Sequence, residues 1–183
     1  MTTRTLISAV EFEASCGQYG PCELVRGEVL TLSPGGYGHS RFTFRIAYLL
    51  GRWVDESQLG RVLTNEAGLI TETDPDTVRG ADVAYFSFGR LPRGAEPQGF
   101  IAVPPNLVVE VVGKGQGWRE MVEKAGEYLR MGVDRVWVVD PESRRVHVFR
   151  ADAEPVILSE ADRLADAGVL PGFGCSVSEL FQD

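Results

Sequence analysis

The run Asn106-Leu107-Val108-Val109-Glu110-Val111-Val112 is apolar at odd and even positions alike, and no other feature of the chain limits its fold as much. Successive side chains of a strand point to opposite faces, so a strand with one wet face alternates apolar and polar residues. A run without alternation belongs to a strand covered on both faces, which is what a central strand between helical layers looks like. The segment therefore predicts an α/β fold built on a central sheet. Glu110 interrupts the run. An ionised carboxylate in a dry sheet interior is costly unless it is paired, protonated or bound to a cation. A buried ion pair with an arginine or lysine is one answer and a metal site is the other.

The rest of the pattern supplies the layers. Thr5 to Ser15 predicts a short amphipathic helix, ended by Gly17, Gly20 and Pro21. Residues 22–25 and 28–32 predict a hairpin bent at Arg26-Gly27 and closed by Ser33-Pro34-Gly35-Gly36. From Ser40 to Asp55 the apolar residues Phe42, Ile46, Leu49, Leu50 and Trp53 recur at helical spacing. Strands are predicted over 61–71, 82–88 and 106–112, with an irregular stretch from Gly89 to Pro105, and a second helix over Trp118 to Met131 stopped by Gly132. Val122, Ala125 and Leu129 mark its expected core side, which puts Glu120, Lys124 and Tyr128 nearly opposite. Arg135–Asp140 and Val146–Arg150 predict a second hairpin, and Val177–Phe181 a short helical turn. With 183 residues, no repeat and no linker, one domain over 1–183 is expected.

Composition narrows the function. A net charge of −8 opposes non-specific binding to polyphosphate, which argues against a protein that coats DNA. A metal-dependent enzyme is not excluded, because a bound cation reverses the local sign of its carboxylates. Cys16, Cys22 and Cys175 are an odd number without CxxC spacing and are expected to be reduced thiols. The first residues lack the apolar core of a signal peptide, and no stretch reaches the roughly 20 apolar residues that span a bilayer, so a cytoplasmic protein is expected.

Asp82 opens the β-like run Val83-Ala84-Tyr85-Phe86, and Glu28 opens Val29-Leu30-Thr31-Leu32. Taken singly, each is an ordinary turn acid; with Glu110 they make the two or three carboxylates that suit a hard cation. Lys124 lies four residues after Glu120, a spacing that on a surface supplies only ~0.3–0.5 kcal/mol. Arg41, Arg45, Tyr48 and Arg52 share one side of the first long helix, either as a solvated face or as phosphate contacts. His147 alternates with Val146 and Val148 and is expected to point outward without chemistry.

Several segments together carry a resemblance. They are Glu23-Leu24-Val25-Arg26-Gly27-Glu28, the later Ser33-Pro34 and His39, Gly80-Ala81-Asp82-Val83-Ala84-Tyr85, Pro105 to Val112, the Glu120, Lys124, Tyr128 series, and Gly132 to Pro141. In order and spacing, from about residue 10 to 181, the chain resembles the Uma family of restriction endonucleases. The resemblance implies a PD-(D/E)XK nuclease-like fold, a restriction-endonuclease-like core with a central mixed sheet flanked by helices. It implies an endonuclease that hydrolyses phosphodiester bonds in DNA with Mg2+ or Mn2+. Asp82 matches the motif aspartate, Glu110 the acid on the following strand, Glu28 an additional upstream acid, and Lys124 a lysine supplied from the helix. His39 stands where a histidine commonly follows the Ser-Pro turn, as a substrate contact together with Arg41, Arg45, Arg52 and Tyr128. Two positions depart from the wider pattern: Ala81 replaces a proline, and Val112 stands where the motif lysine is normally found, which leaves the role to Lys124 or Lys114. A non-catalytic module that binds nucleic acid or protein is the alternative. Many endonucleases that cut both strands dimerise, but no heptad seam supports an oligomer here.

Overall fold

Residues 6–182, as described by a computed structural model, place the non-alternating run where its pattern requires. Strand β5 (Leu107–Val111) is buried at all five positions and lies inside an eight-stranded mixed sheet. The other strands are β1 (Cys22–Val25), β2 (Glu28–Thr31), β3 (Gly60–Glu72), β4 (Thr77–Ser87), β6 (Arg135–Asp140), β7 (Arg145–Arg150) and β8 (Ala153–Leu158). Their order is β2-β1-β4-β5-β6-β7-β8, with β3 paired along β4. All neighbours run antiparallel except β5 and β6, which are parallel and are connected through helix α3 (Trp118–Met131). A parallel pair needs such a crossover, because no tight turn can bring the chain back to the same end of the sheet.

Each face of the sheet has its own helix. On one, Phe42, Ile46, Leu49, Leu50 and Trp53 of α2 (Tyr37–Ser57) pack with Val83, Tyr85, Val109, Val111 and Trp137, joined by Leu180 and Phe181 of the C-terminal turn. On the other, Met121, Ala125 and Tyr128 of α3 pack with Ala84, Val108 and Val138. Burying one such side chain contributes about 1.5–3 kcal/mol. Helix α1 (Ala9–Ser15) starts at Ser8, whose side chain forms a capping box with Glu11, and seats Phe12 on Leu24 and Val78. It is shorter than the predicted helix, whose first residue, Thr5, lies outside the described residues.

Five elements differ from expectation. Strand β4 begins at Thr77 rather than Asp82, so Asp82 lies inside a long strand and not at its mouth. Segment 77–81 does not read as a strand because its Arg79 is charged, yet Arg79 is buried. The packed side of α3 is Met121, Lys124, Ala125 and Tyr128, while Val122 is 41% exposed. Met121, Ala125 and Tyr128 define the stripe at i, i+4 and i+7, and Lys124 and Glu127 are buried with it because both are paired. Strand β8 and the short pair β9 (Arg163–Leu164) and β10 (Cys175–Ser176) were not expected; β8 is an exposed edge with Pro155 and Glu154, so burial left no pattern in its sequence. The three cysteines are free thiols.

Candidate active site

The sheet forks along one edge of β4. β1 pairs with that strand at Val78 and β5 from Val83 to Tyr85, while β3 takes the opposite edge throughout. Between the two pairings, backbone groups have no strand to bond to and need other partners. Carboxylates supply them. The Gly80 N–H donates to Glu23 Oε1 at 3.1 Å, and the Val111 N–H donates to Asp82 Oδ2 at 2.7 Å. Two acids are thus held in the fork by hydrogen bonds that the sheet leaves open.

Glu110 faces α3 from β5. Its Oε1 accepts a hydrogen bond of 2.7 Å from the Tyr128 hydroxyl, and its Oε2 lies 3.7 Å from Lys124 Nζ. Lys124 also donates to Glu23 Oε1 at 2.9 Å. Beyond Glu23 stands Arg79, which donates to Glu23 Oε2 at 2.8 Å and grips both oxygens of Glu127 at 2.6 and 2.9 Å. A continuous line of alternating charge, Glu127, Arg79, Glu23, Lys124 and Glu110, therefore runs under α3. On the other side of the fork, His39 Nε2 from the start of α2 lies 3.2 Å from Asp82 Oδ2. Asp82, Glu110 and Lys124 are each only 4% exposed.

These contacts set the charges. Burial would raise the Glu23 carboxyl, but Lys124 and Arg79 outweigh it and hold Glu23 below the ordinary glutamate range. Burial would lower the Lys124 pKa, but Glu110 and Glu23 reverse that and keep the ammonium charged. For Glu110 burial wins: with Asp82 adding repulsion, its pKa is raised despite Lys124 and the Tyr128 hydrogen bond. His39 is raised, chiefly by its hydrogen bond to Asp82 and against the effect of burial.

A cleft of about 770 Å³ opens between α1, the β1–β2 hairpin and the first turns of α2, and it reaches Asp82, His39 and Glu66. Glu110 and Lys124 lie behind this surface. Glu66 comes from an irregularity in β3, where Asn65 and Glu66 both have positive φ and the register with β4 shifts. It remains open to the cleft; burial against the wall and repulsion from Asp82 raise its carboxyl. Opposite it, Gly80 allows a close approach, since a Cβ there would lie 2.5 Å from Glu66 Oε2.

Of the expected residues, the structure brings Asp82, Glu110, Lys124 and His39 together. Glu28 stands opposite Val25 at the turn end of the hairpin, on the face that carries Glu23. Glu23 is the upstream acid that reaches the fork. Tyr128, expected as a substrate contact, is wholly buried and supports Glu110 instead. Arg45 donates to the Glu179 carbonyl at 2.9 Å, Arg41 lies over the Phe42 ring, and Arg52 is exposed. Lys114 is exposed in the turn after β5, so Lys124 is the lysine that approaches Glu110. Glu23, Arg79, Glu127 and Glu66 went unread. Glu23 carries the signal that exposed Glu110, an acid inside an apolar strand; Arg79, Glu127 and Glu66 depend on distant partners and leave no local trace.

Among the described residues, no three His, Cys, Asp or Glu side chains converge closely enough to enclose an ion. The donors fit a cation that keeps most of its water, as magnesium does with one or two protein carboxylates. Asp82 and Glu110 are the two carboxylates that would hold such an ion, which would relieve their repulsion at Glu110.

A solved structure shares this fold. A crystal structure of a nuclease of the DUF820 group from Anabaena variabilis, titled as putative, superposes with a TM-score of 0.77 at 19% identity, covering 96% of this chain and 97% of that one. At that identity the likeness establishes the fold. No curated protein is significantly similar to the chain. The profile of the Uma2 family, described as "Putative restriction endonuclease", matches residues 9–178, a span holding every acid and base of the fork. By that match the chain belongs to the Uma2 family.

Proposed function

We propose that the chain is a divalent-metal-dependent nuclease that hydrolyses phosphodiester bonds in DNA, with Asp82 and Glu110 as ligands for Mg2+ or Mn2+. The observation that carries this reading is the fully buried Glu110 carboxylate, pushed up by burial and by Asp82 and only partly compensated by Lys124. A divalent ion bound there supplies an acidified water and a Lewis acid for the phosphoryl oxygens. Every other part of the chemistry falls to the chain. Lys124, kept charged by Glu110 and Glu23, offers a fixed positive charge where negative charge grows on the phosphate. Glu23 fixes the Lys124 ammonium and is itself fixed by Arg79. Tyr128 orients Glu110, and His39 steadies Asp82 at the cleft.

Membership of the Uma2 family and the nuclease-like fold support this reading. No helix among the described residues is long and apolar enough to cross a membrane. The test is cleavage of mixed-sequence DNA by wild type and Glu110→Ala with Mg2+ or Mn2+ and with chelator. Metal-dependent cleavage lost by at least about 100-fold in the variant is expected; cleavage that persists unchanged in Glu110→Ala contradicts the reading.

The closed run of ion pairs from Glu127 to Lys124 favours a second reading, a structural charge network in a non-catalytic module that binds nucleic acid or protein. On that reading metal does not alter the melting temperature. On the nuclease reading it raises it, by about 2.7 kcal/mol of stability at a hundredfold excess over Kd.

A further inference from the structure

Helix α2 carries the longest stretch of the sequence without an acid: no Asp or Glu occurs between Glu28 and Asp55, in a chain of net charge −8. Its outer side is also rich in aromatic rings. Tyr37 is 85% exposed, Phe44 71% and Tyr48 48%. At about 100° per residue the three fall within an arc of about 40°, so they form a ladder along the helix. The rings of Phe44 and Tyr48 stack, with centroids 6.4 Å apart and planes 27° from parallel.

The ladder has a direction. On one flank lies the cleft, lined by His39, Thr43, Phe44 and Ala47 together with Asp82 and Glu66. On the other flank run Arg41, Arg45 and Arg52, with the Arg45 guanidinium 5.9 Å from the Tyr48 ring. Crossing the helix from the cleft, one meets exposed rings and then cations, and the helix carries no acid before Asp55 and Glu56 at its C-terminal end.

We propose that this face is a platform for unpaired bases. Phe44 and Tyr48, with Tyr37 beside them, stack on the bases of a single strand, and the arginine flank takes its phosphates and leads it to Asp82. Stacking needs a free base face. In intact duplex both faces of every base are already covered by neighbours, so exposed rings gain nothing there, whereas in a single strand every base offers a π-face whatever its identity. An acidic protein repels a phosphate backbone at long range, which makes ring contacts the natural source of affinity. The substrate class is thus single-stranded DNA or an unpaired segment of a duplex. This rests on the nuclease reading for the role of the cleft, but the platform itself can be tested by binding alone.

The experiment measures fluorescence anisotropy of a labelled mixed-sequence oligonucleotide, single-stranded and as its duplex, with Ca2+ in place of Mg2+. Proteins are wild type, the Phe44→Ala/Tyr48→Ala double variant and Arg52→Ala, each checked for an unchanged melting temperature, with Glu110→Gln run alongside for cleavage in Mg2+. Single strand is expected to bind at least about 10-fold tighter than duplex, and the ring variant to lose about 10-fold or more of that affinity. Arg52→Ala is expected to flatten the salt dependence. No binding of single strand, a duplex preference, or a ring variant that binds like wild type overturns the proposal. So does a wild-type dimer that the ring variant abolishes while oligonucleotide binding is unchanged, which would make the face a contact between copies. Ring-dependent binding without any metal-dependent cleavage upholds the platform and removes the nuclease reading; cleavage that needs Glu110 but ignores the rings does the reverse.

Discussion

Lys124 is held between Glu23 at 2.9 Å and Glu110 at 3.7 Å, with 4% of its surface exposed. Removing it leaves two buried carboxylates without their shared cation, so Lys124→Ala is expected to cost about 3–5 kcal/mol in urea unfolding; a loss below about 1 kcal/mol would show that the pairing is not what keeps these acids buried. Arg79→Lys keeps the charge but not the two-sided grip on Glu23 and Glu127, and a loss of about 1–3 kcal/mol is expected. The two glutamates make opposite contributions with pH. Glu23 is lowered in the folded protein, so the stability it adds is complete above the ordinary glutamate pKa and disappears on acidification through its folded value. Glu110 is raised, so the folded state keeps a proton that the unfolded chain has released, and stability falls as pH rises from the ordinary glutamate range through the raised value. Without metal, wild type should therefore lose stability relative to Glu110→Gln between pH 5 and about pH 8. Unfolding curves at several pH values that keep a constant difference would contradict the raised Glu110.

At the scale of the element, the fork on β4 explains why these acids meet. Glu23 and Asp82 each satisfy a backbone N–H that a continuous sheet would have paired, and Glu110 lies on the strand next to the gap. Gly80 lets Glu66 of β3 lie close against β4. Gly80→Ala would drive a methyl group into Glu66, and a loss of about 1–3 kcal/mol with weaker cleavage is expected, checked by thermal melts and initial rates. The same geometry explains what could be read in advance. β5 and Glu110 were legible because an acid within a non-alternating apolar run contradicts its surroundings. α3 was legible as a helix and its phase only in part: Ala125 is buried and Leu129 packs on the same core, as expected, but Val122 is exposed and Met121, Lys124 and Tyr128 complete the packed side. Burying Lys124 and Glu127 is favourable only because Glu23, Glu110 and Arg79 meet them, and Glu23 is 101 residues from Lys124 in the chain. Such pairing has no local signature; at Glu23 the trace is an acid within a short apolar strand.

The whole molecule divides its charge. Acids gather around the fork, while α2 presents rings and arginines with no acid before Asp55. Under the proposed function that division would let a protein of net charge −8 approach a polyanion along one side. The sheet between two helical layers was expected from the pattern of β5 and from the family resemblance, and the 0.77 TM-score supports it. The proposed reaction depends on a narrower point, that the repulsion between Glu110 and Asp82 is answered by a cation. Calorimetric titration of Mn2+ into wild type, Glu110→Gln and Asp82→Asn tests this most directly. The expected result is binding to wild type that weakens at least about 10-fold in either variant, a difference of roughly 1.4 kcal/mol or more. Equal Mn2+ affinity in all three proteins, or no binding to wild type, would contradict the account.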